Sequence, residues 1–136
     1  MAKPIALLVD DVTDLLSVMA EVFEHSFPEF ELITATSALA ATRAVQERTS
    51  DGNALALVVT DQSLGDRTGI ELLHDLQHHG APVLVLISGR ASEDLVCDAA
   101  KVGATVLWKP FRMSAFVDHV RGALRDRAGD HAPQGT

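Results

Sequence analysis

Four apolar segments of the chain end in polar residues whose types suit the transfer of a phosphoryl group. These residues are Asp10 and Asp11, Asp61, Ser88 and Lys109. The carboxyl ends of parallel strands meet at one edge of a sheet, so these side chains converge if the segments form such a sheet. Clustered carboxylates repel one another unless a cation lies between them, and Mg²⁺ prefers carboxylate and phosphate oxygens. The set predicts a magnesium site beside a nucleophilic carboxylate, with a hydroxyl and an ammonium group to bind phosphoryl oxygens.

The segments that must position these residues alternate between short apolar runs and stretches with helical spacing. The apolar runs are residues 5–9, 30–35, 54–60, 82–87 and 104–108. The stretches between and after them carry apolar residues at the three- and four-residue spacing of amphipathic helices. This alternation implies right-handed crossovers and a parallel sheet that helices cover on both faces. The sequence therefore predicts an α/β fold with a doubly wound, five-stranded parallel sheet in the flavodoxin-like strand order 2-1-3-4-5.

Length and composition narrow the class of protein. The 136 residues suit one domain, and 47% of them are hydrophobic, which is enough for a full core. The formal net charge of −8 argues against nucleic acid as a direct ligand. No apolar run approaches the roughly 18 to 20 residues of a membrane span, and no signal peptide is recognisable. We expect a cytoplasmic domain at residues 1–126, with no membrane association, followed by a flexible tail at 127–136.

Local signals mark the ends of the predicted helices. Thr13 and Asp14 offer a cap and a negative charge where the first helix begins. Gly80 and Gly103 follow the third and fourth helices, where a residue with positive φ is favoured. Cys97 is the only cysteine and lies in a helical stretch, so we expect it to be a small buried residue.

From residue 5 to residue 124, the chain resembles the receiver domain of two-component response regulators. The match includes Leu-Val-Asp-Asp at 8–11, Val-Thr-Asp-Gln-Ser-Leu at 59–64, Ile-Ser-Gly at 87–89 and Lys-Pro-Phe at 109–111. Further matching segments are Gly-Ile-Glu-Leu-Leu at 69–73 and Ala-Ala-Lys-Val-Gly-Ala at 99–104. The resemblance implies the receiver fold and a phosphorylation-controlled signalling module.

The resemblance also implies a role for each residue at the strand ends. Asp61 is the implied phosphoacceptor, Ser88 the switch hydroxyl and Lys109 the cation that senses the phosphate. The implied Mg²⁺ ligands are Asp11, Asp61, the carbonyl of Ser63 and, less directly, Asp10. The bond between Lys109 and Pro110 is expected to be cis.

The chain departs from the family pattern at two places. Gly65 follows Leu64 where the family often has a proline, which predicts a looser loop after the phosphoacceptor. Val106 stands at the position of the family's aromatic switch residue, so a ring cannot couple the hydroxyl to the surface there. Trp108 lies two residues further along the strand and points to the same side of the sheet.

The resemblance implies a histidine kinase or histidine phosphotransfer protein as the phosphodonor. The phosphorylated domain is expected to signal through its helix 4, strand 5 and helix 5 face, and to assist its own phosphorylation and dephosphorylation without being an enzyme. The downstream protein partner is left open, as is a phosphorylation-dependent homodimer. A stand-alone regulator, a phosphorelay shuttle and a receiver excised from a longer regulator or hybrid kinase also remain alternatives.

Three other classes share some of these features. An aspartyl-phosphate hydrolase of the haloacid dehalogenase type requires a second acid two residues after the nucleophile, where this chain has Ser63. A flavodoxin-like cofactor binder requires a Ser/Thr/Gly-rich loop after the first strand, where this chain has Asp-Asp-Val-Thr. A receiver fold that acts only as a phosphorylation-independent scaffold is the main alternative.

Overall fold

The computed structural model describes residues 3–80 and 82–129, in which five strands alternate with five helices. The strands are β1 (Ile5–Val9), β2 (Glu31–Ala35), β3 (Leu55–Asp61), β4 (Val83–Ser88) and β5 (Ala104–Trp108). The helices are α1 (Thr13–Ser26), α2 (Ala38–Ser50), α3 (Gly69–Leu76), α4 (Glu93–Lys101) and α5 (Met113–Gly129). The strands are parallel and lie in the order β2-β1-β3-β4-β5. This arrangement confirms the predicted fold class and strand order.

Helices cover both faces of the sheet, which explains why its strands are apolar without alternation. On β1, Ile5 and Leu7 belong to the core on one face, whereas Ala6 and Leu8 belong to the core on the other. The first core also contains buried residues of α2, α3 and α4, and the second contains those of α1 and α5. The central strands are therefore rigid supports for the residues at their carboxyl ends.

The edge formed by α4 and β5 is less buried than the rest of the sheet. Ala99 is the buried residue of α4, and Val96 is 47% exposed. Cys97 is exposed, so the prediction that it is buried is wrong. Two positions along a helix correspond to a rotation of about 200°, which places Cys97 on the face opposite Ala99. This edge offers surface for contacts with other molecules.

The ends of the helices agree in part with the local signals. Helix α1 begins at Thr13, with Asp14 in its first turn, but Val12 occupies the cap position and makes no side-chain cap bond. The prediction that Thr13 caps this helix is therefore wrong, because the helix starts at that residue and not after it. Gly80 and Gly103 have φ values of 85° and 78°, as predicted.

Helix α5 continues to Gly129, into the segment predicted as a tail. The remainder of that segment, residues 130–136, lies outside the described residues, and its flexibility stays a prediction. Within residues 3–80 and 82–129, none of the helices combines the length and apolarity that crossing a bilayer requires.

Candidate functional site

The strand register brings the predicted site residues to one edge of the sheet. Val9 of β1 pairs with Thr60 of β3. The residues that follow them in the chain, Asp10 and Asp61, are therefore neighbours. Asp61 pairs with Ile87 of β4, which puts Ser88 one position further along. On the far strand, Lys109 follows directly after β5 and its N–H donates to the carbonyl of Ser88 at 2.8 Å. The convergence of these residues follows from the parallel sheet.

Three carboxylates and one ammonium group form the centre of the site. Asp10, Asp11 and Asp61 each place a carboxylate oxygen within 4.8 Å of the others. Asp10 and Asp61 are buried, with 1% and 6% of their surface exposed, whereas Asp11 is exposed. Lys109 Nζ lies 3.1 Å from Asp61 Oδ1 and 3.8 Å from Asp10 Oδ2. A single ammonium group cannot neutralise three carboxylates, so the cluster attracts a further cation.

The surroundings of Asp10 show how well a metal ion would fit. Burial raises the pKa of Asp10, and the nearby charge of Asp61 raises it further. The N–H of Val12 donates to Asp10 Oδ1 at 2.8 Å and opposes this rise. Asp10 Oδ2 is buried and has no hydrogen-bond partner among the described residues. A hard divalent cation suits such a desolvated carboxylate oxygen beside two other carboxylates, so the three aspartates can hold a metal ion.

The hydroxyl of Ser88 is engaged with the loop that leads to α4. Ser88 is buried, and its Oγ accepts from the N–H of Arg90 at 3.1 Å and lies 3.4 Å from the Arg90 carbonyl oxygen. The Lys109–Pro110 bond is cis, as expected. The hydroxyl and the ammonium group therefore stand at the start of the segments that lead into α4 and α5.

The loop between β3 and α3 is closed at its base by Gln62, which the sequence analysis did not single out. Its carbonyl accepts from the N–H of Gly69, and its Oε1 accepts from the N–H of Ile70, both at 2.9 Å. Thr68 and Glu71 form a capping box at the start of α3, a pattern that is readable in the sequence. These bonds fix the loop that contains Ser63 to the first turn of α3.

Asp66, at the tip of the same loop, is a second residue that the sequence analysis missed. Its carboxylate accepts from the first two N–H groups of α2, a contact that no local sequence signal reveals. Gly65, immediately before it, has a φ of 85°, which favours glycine. The loop without the family's proline is thus fastened by a long-range contact.

An open cleft beside Asp61 gives access to the site. Its volume is about 650 Å³, and the β3–α3 loop and the β4–α4 loop form its walls. Ser63, Arg67, Ser88 and Arg90 are among the residues that line it. Asp61 therefore borders a cleft that is open to solvent.

Known proteins are similar in sequence to this domain. A family model described as the response regulator receiver domain matches residues 6–121. Transcriptional regulatory protein KdpE of Mycobacterium tuberculosis is 32% identical over 89% of this chain and 51% of its own length. Transcriptional regulatory protein DpiA of Escherichia coli is 35% identical over 76% of this chain and 44% of its own length. The chain spans about half the length of the curated relatives it matches.

Solved structures share the fold. The crystal structure of a CheY-like response regulator receiver domain protein from Methanospirillum hungatei has a TM-score of 0.79 at 20% identity, covering 95% of this chain and 99% of that chain. The family match extends from β1 into α5, and the acidic pocket with its lysine is consistent with phosphoacceptor function. The chain belongs to the response regulator receiver domain family, whose members are phosphoacceptor signalling modules and not enzymes.

Proposed function

We propose that Asp61 accepts a phosphoryl group from a histidine kinase or a histidine phosphotransfer protein. The observation that supports this most strongly is the position of the Asp61 carboxylate, between the aspartates of β1 and the ammonium group of Lys109. We propose Mg²⁺ as the metal ion, held by Asp11, Asp61 and the Ser63 carbonyl, with Asp10 in support. When bound, Mg²⁺ supplies positive charge that neutralises the carboxylates and the phosphoryl oxygens.

The chemistry of the transfer assigns a task to each side chain. An oxygen of Asp61 attacks the phosphorus of the donor phosphohistidine, the new P–O bond forms, and the P–N bond to the imidazole breaks. The product is an acyl phosphate on Asp61. Lys109 Nζ, which pairs with the free carboxylate, then pairs with the phosphoryl oxygens. The Ser88 hydroxyl exchanges its bond with the Arg90 backbone for a bond to a phosphoryl oxygen.

These exchanges carry the signal to the face formed by α4, β5 and α5. Ser88 leads into α4 through Arg90, and Lys109 leads into α5, so a change of partner at either residue bears on the segment that follows it. The output partner docks on this face, and a second copy of the chain is one candidate for it. KdpE and DpiA are named as transcriptional regulatory proteins, but the charge of −8 favours a protein partner for this domain over direct contact with nucleic acid.

The test is phosphorylation by a small acyl phosphate, followed by intact mass. With Mg²⁺ and acetyl phosphate, the protein should gain the mass of one phosphoryl group, and the gain should be lost when the metal is chelated. Asp61→Asn keeps the shape of the side chain but removes the nucleophile, so this variant should gain nothing. Uptake by Asp61→Asn, or uptake with the metal chelated, would contradict the proposal.

Val106 favours a second candidate, a scaffold whose contacts are independent of phosphorylation. The valine packs partly buried against the core and has no ring that can move between the interior and the surface. A partner that binds the phosphorylated and unphosphorylated wild-type protein with equal affinity would support the scaffold.

A further inference from the structure

The β3–α3 loop is bonded to a second helix through Asp66. Asp66 Oδ1 accepts from the N–H of Ala38 at 3.1 Å, and Asp66 Oδ2 accepts from the N–H of Leu39 at 3.0 Å. The first N–H groups of a helix have no partners within the helix, so this carboxylate satisfies two of them. The N–H groups of Leu39 and Ala38 hold the pKa of Asp66 below its usual value, so it is an anion at neutral pH.

Helix α2 already has its own cap. Ser37 occupies the N-cap position, and its Oγ accepts from the N–H of Ala40 at 3.1 Å. The first turn of α2 contains no acidic residue, so Asp66 brings the negative charge that a helix N-terminus favours from a different part of the chain. The contact therefore has a second effect besides capping, because it joins the tip of the loop to α2.

The loop that Asp66 joins to α2 is the one that contains Ser63. Ser63 forms an antiparallel bridge with Thr68 at the base of the loop, and the side chain of Arg67 pairs with Asp75 of α3. These contacts connect the loop to α3 only. Asp66 connects its tip to α2, so the loop is held from two sides.

We propose that Asp66 is a positioning residue for the metal site, which clamps the loop to α2 and so fixes the Ser63 carbonyl relative to Asp61. This inference rests on the proposed function, because the Ser63 carbonyl matters here as a metal ligand. Asp66 is not one of the proposed metal ligands and acts through the Ser63 carbonyl. This chain has Gly65 where the family often has a proline. The bonds from Asp66 to α2 limit the conformations of the loop, as a proline would.

The experiment compares two variants that each lack hydrogen bonds at the N-terminus of α2. Asp66→Ala removes the clamp, whereas Ser37→Ala removes the cap of α2 and leaves the clamp in place. The two readouts are Mg²⁺ affinity by calorimetry and amide hydrogen exchange by NMR without metal. The exchange measurement does not depend on the metal site.

We expect Asp66→Ala to weaken Mg²⁺ binding about tenfold, as removal of a residue that orients metal ligands typically does. Exchange should accelerate at Ala38 and Leu39 and across residues 63–67. Ser37→Ala should accelerate exchange at Ala40 and leave Mg²⁺ affinity within about twofold of the wild type, as for a substitution away from the site.

Equal Mg²⁺ affinities for Asp66→Ala and Ser37→Ala would overturn the inference, as would an unchanged affinity in Asp66→Ala. If Asp66→Ala does not fold, Asp66→Asn decides by the same criteria, because it keeps one acceptor oxygen and should lose part of the affinity. Absence of Mg²⁺ binding in the wild type would instead refute the proposed function, and the inference with it.

Discussion

At the residue scale, the electrostatics of the site depend on how Asp10 and Asp61 share the charge of Lys109. The ammonium group lies 3.1 Å from an oxygen of Asp61 but 3.8 Å from the nearer oxygen of Asp10. Asp61 therefore receives the stronger ion pair, and Asp10 stays buried with one oxygen that lacks a hydrogen-bond partner among the described residues. In the metal-free protein, the negative charge of Asp10 is therefore only partly compensated, and this favours the binding of a cation.

The first prediction concerns this charge on Asp10. Burial raises the pKa of Asp10 in the folded protein, so its ionised carboxylate destabilises the fold. This destabilisation is absent below the ordinary value of 3.8 and grows as the pH rises through the raised value. Asp10→Asn should therefore raise the free energy of unfolding near neutral pH in metal-free buffer. We expect this gain to increase with pH, because burial disfavours only the ionised form of the wild-type carboxyl group.

Denaturant unfolding of Asp10→Asn and the wild type across a pH series measures this effect. The gain should disappear in acid, where the wild-type carboxyl is protonated. Asp11→Asn is the matched control, and it should gain less because Asp11 is exposed. A difference between Asp10→Asn and the wild type that does not change with pH would contradict the assignment of the cost to burial.

The second prediction concerns metal binding by the same cluster. The proposed Mg²⁺ site exists in the folded chain and not in the unfolded one, so adding Mg²⁺ should raise the melting temperature by mass action. Asp11→Ala should remove this rise, because the variant lacks one of the proposed ligands. Asp14→Ala removes a nearby acid outside the cluster and should keep the rise. A rise that persists in Asp11→Ala would exclude Asp11 as a ligand.

At the element scale, the strands and their carboxyl ends were predictable because a buried parallel strand is a continuous apolar run that stops at a polar residue. Asp61 and Ser88 close β3 and β4, and the strand order makes these two strands neighbours. Gly103 was predictable because it directly follows the C-cap of α4, where positive φ is favoured. Gly80 also has a positive φ, but it lies four residues after α3 ends at Leu76.

Other features depend on contacts that a local pattern does not contain. The exposure of Cys97 follows from the way α4 packs on the sheet edge, which spacing along the helix alone does not determine. Asp66 bonds to Ala38 and Leu39, which are 28 and 27 positions away in the sequence. The residues next to Asp66 in the sequence therefore do not predict these bonds. Such long-range contacts are fixed only once the elements have packed together.

The third prediction concerns the close approach of α3 to β3 at Gly69. A Cβ added there would lie 2.4 Å from the carbonyl oxygen of Asp61 and 2.8 Å from Leu86 Cδ1. Gly69→Ala should lower the free energy of unfolding by about 1 to 3 kcal/mol, the usual cost of overpacking. It should also weaken Mg²⁺ binding, since the backbone of Asp61 must shift.

Gly122→Ala in α5 is the matched control for this substitution. Apart from its chain neighbours and the adjacent backbone of α5, no atom of the described residues lies within 4 Å of a Cβ added at Gly122. This variant should gain about 1 kcal/mol from the higher helix propensity of alanine and keep the wild-type Mg²⁺ affinity. Denaturant unfolding and calorimetry measure both quantities, and equal stabilities of the two variants would contradict the close packing at Gly69.

At the scale of the whole molecule, a receiver signals only through contacts that differ between its free and phosphorylated states. The free protein shows one set of such contacts, the Ser88 bond to the Arg90 backbone and the Lys109 ion pairs. Ser88 pairs across the sheet with Trp108, which lines a groove of about 540 Å³ beside Val96 of α4. Changes at the proposed phosphorylation site are therefore expected to reach the surface beside this groove.

The last prediction uses Trp108, the only tryptophan, as a reporter of that path. Titration with Mg²⁺ and beryllofluoride, which mimics the phosphoryl group on Asp61, should change the intrinsic fluorescence and reach saturation. The change should be modest, because Trp108 is already 36% exposed and Val106 has no ring to move. Lys109→Ala should abolish it, since Lys109 directly follows Trp108 and connects β5 to the phosphoryl group. Unchanged fluorescence in the wild type, with Asp61 shown to be occupied, would mean that the signal leaves the site by another route than β5.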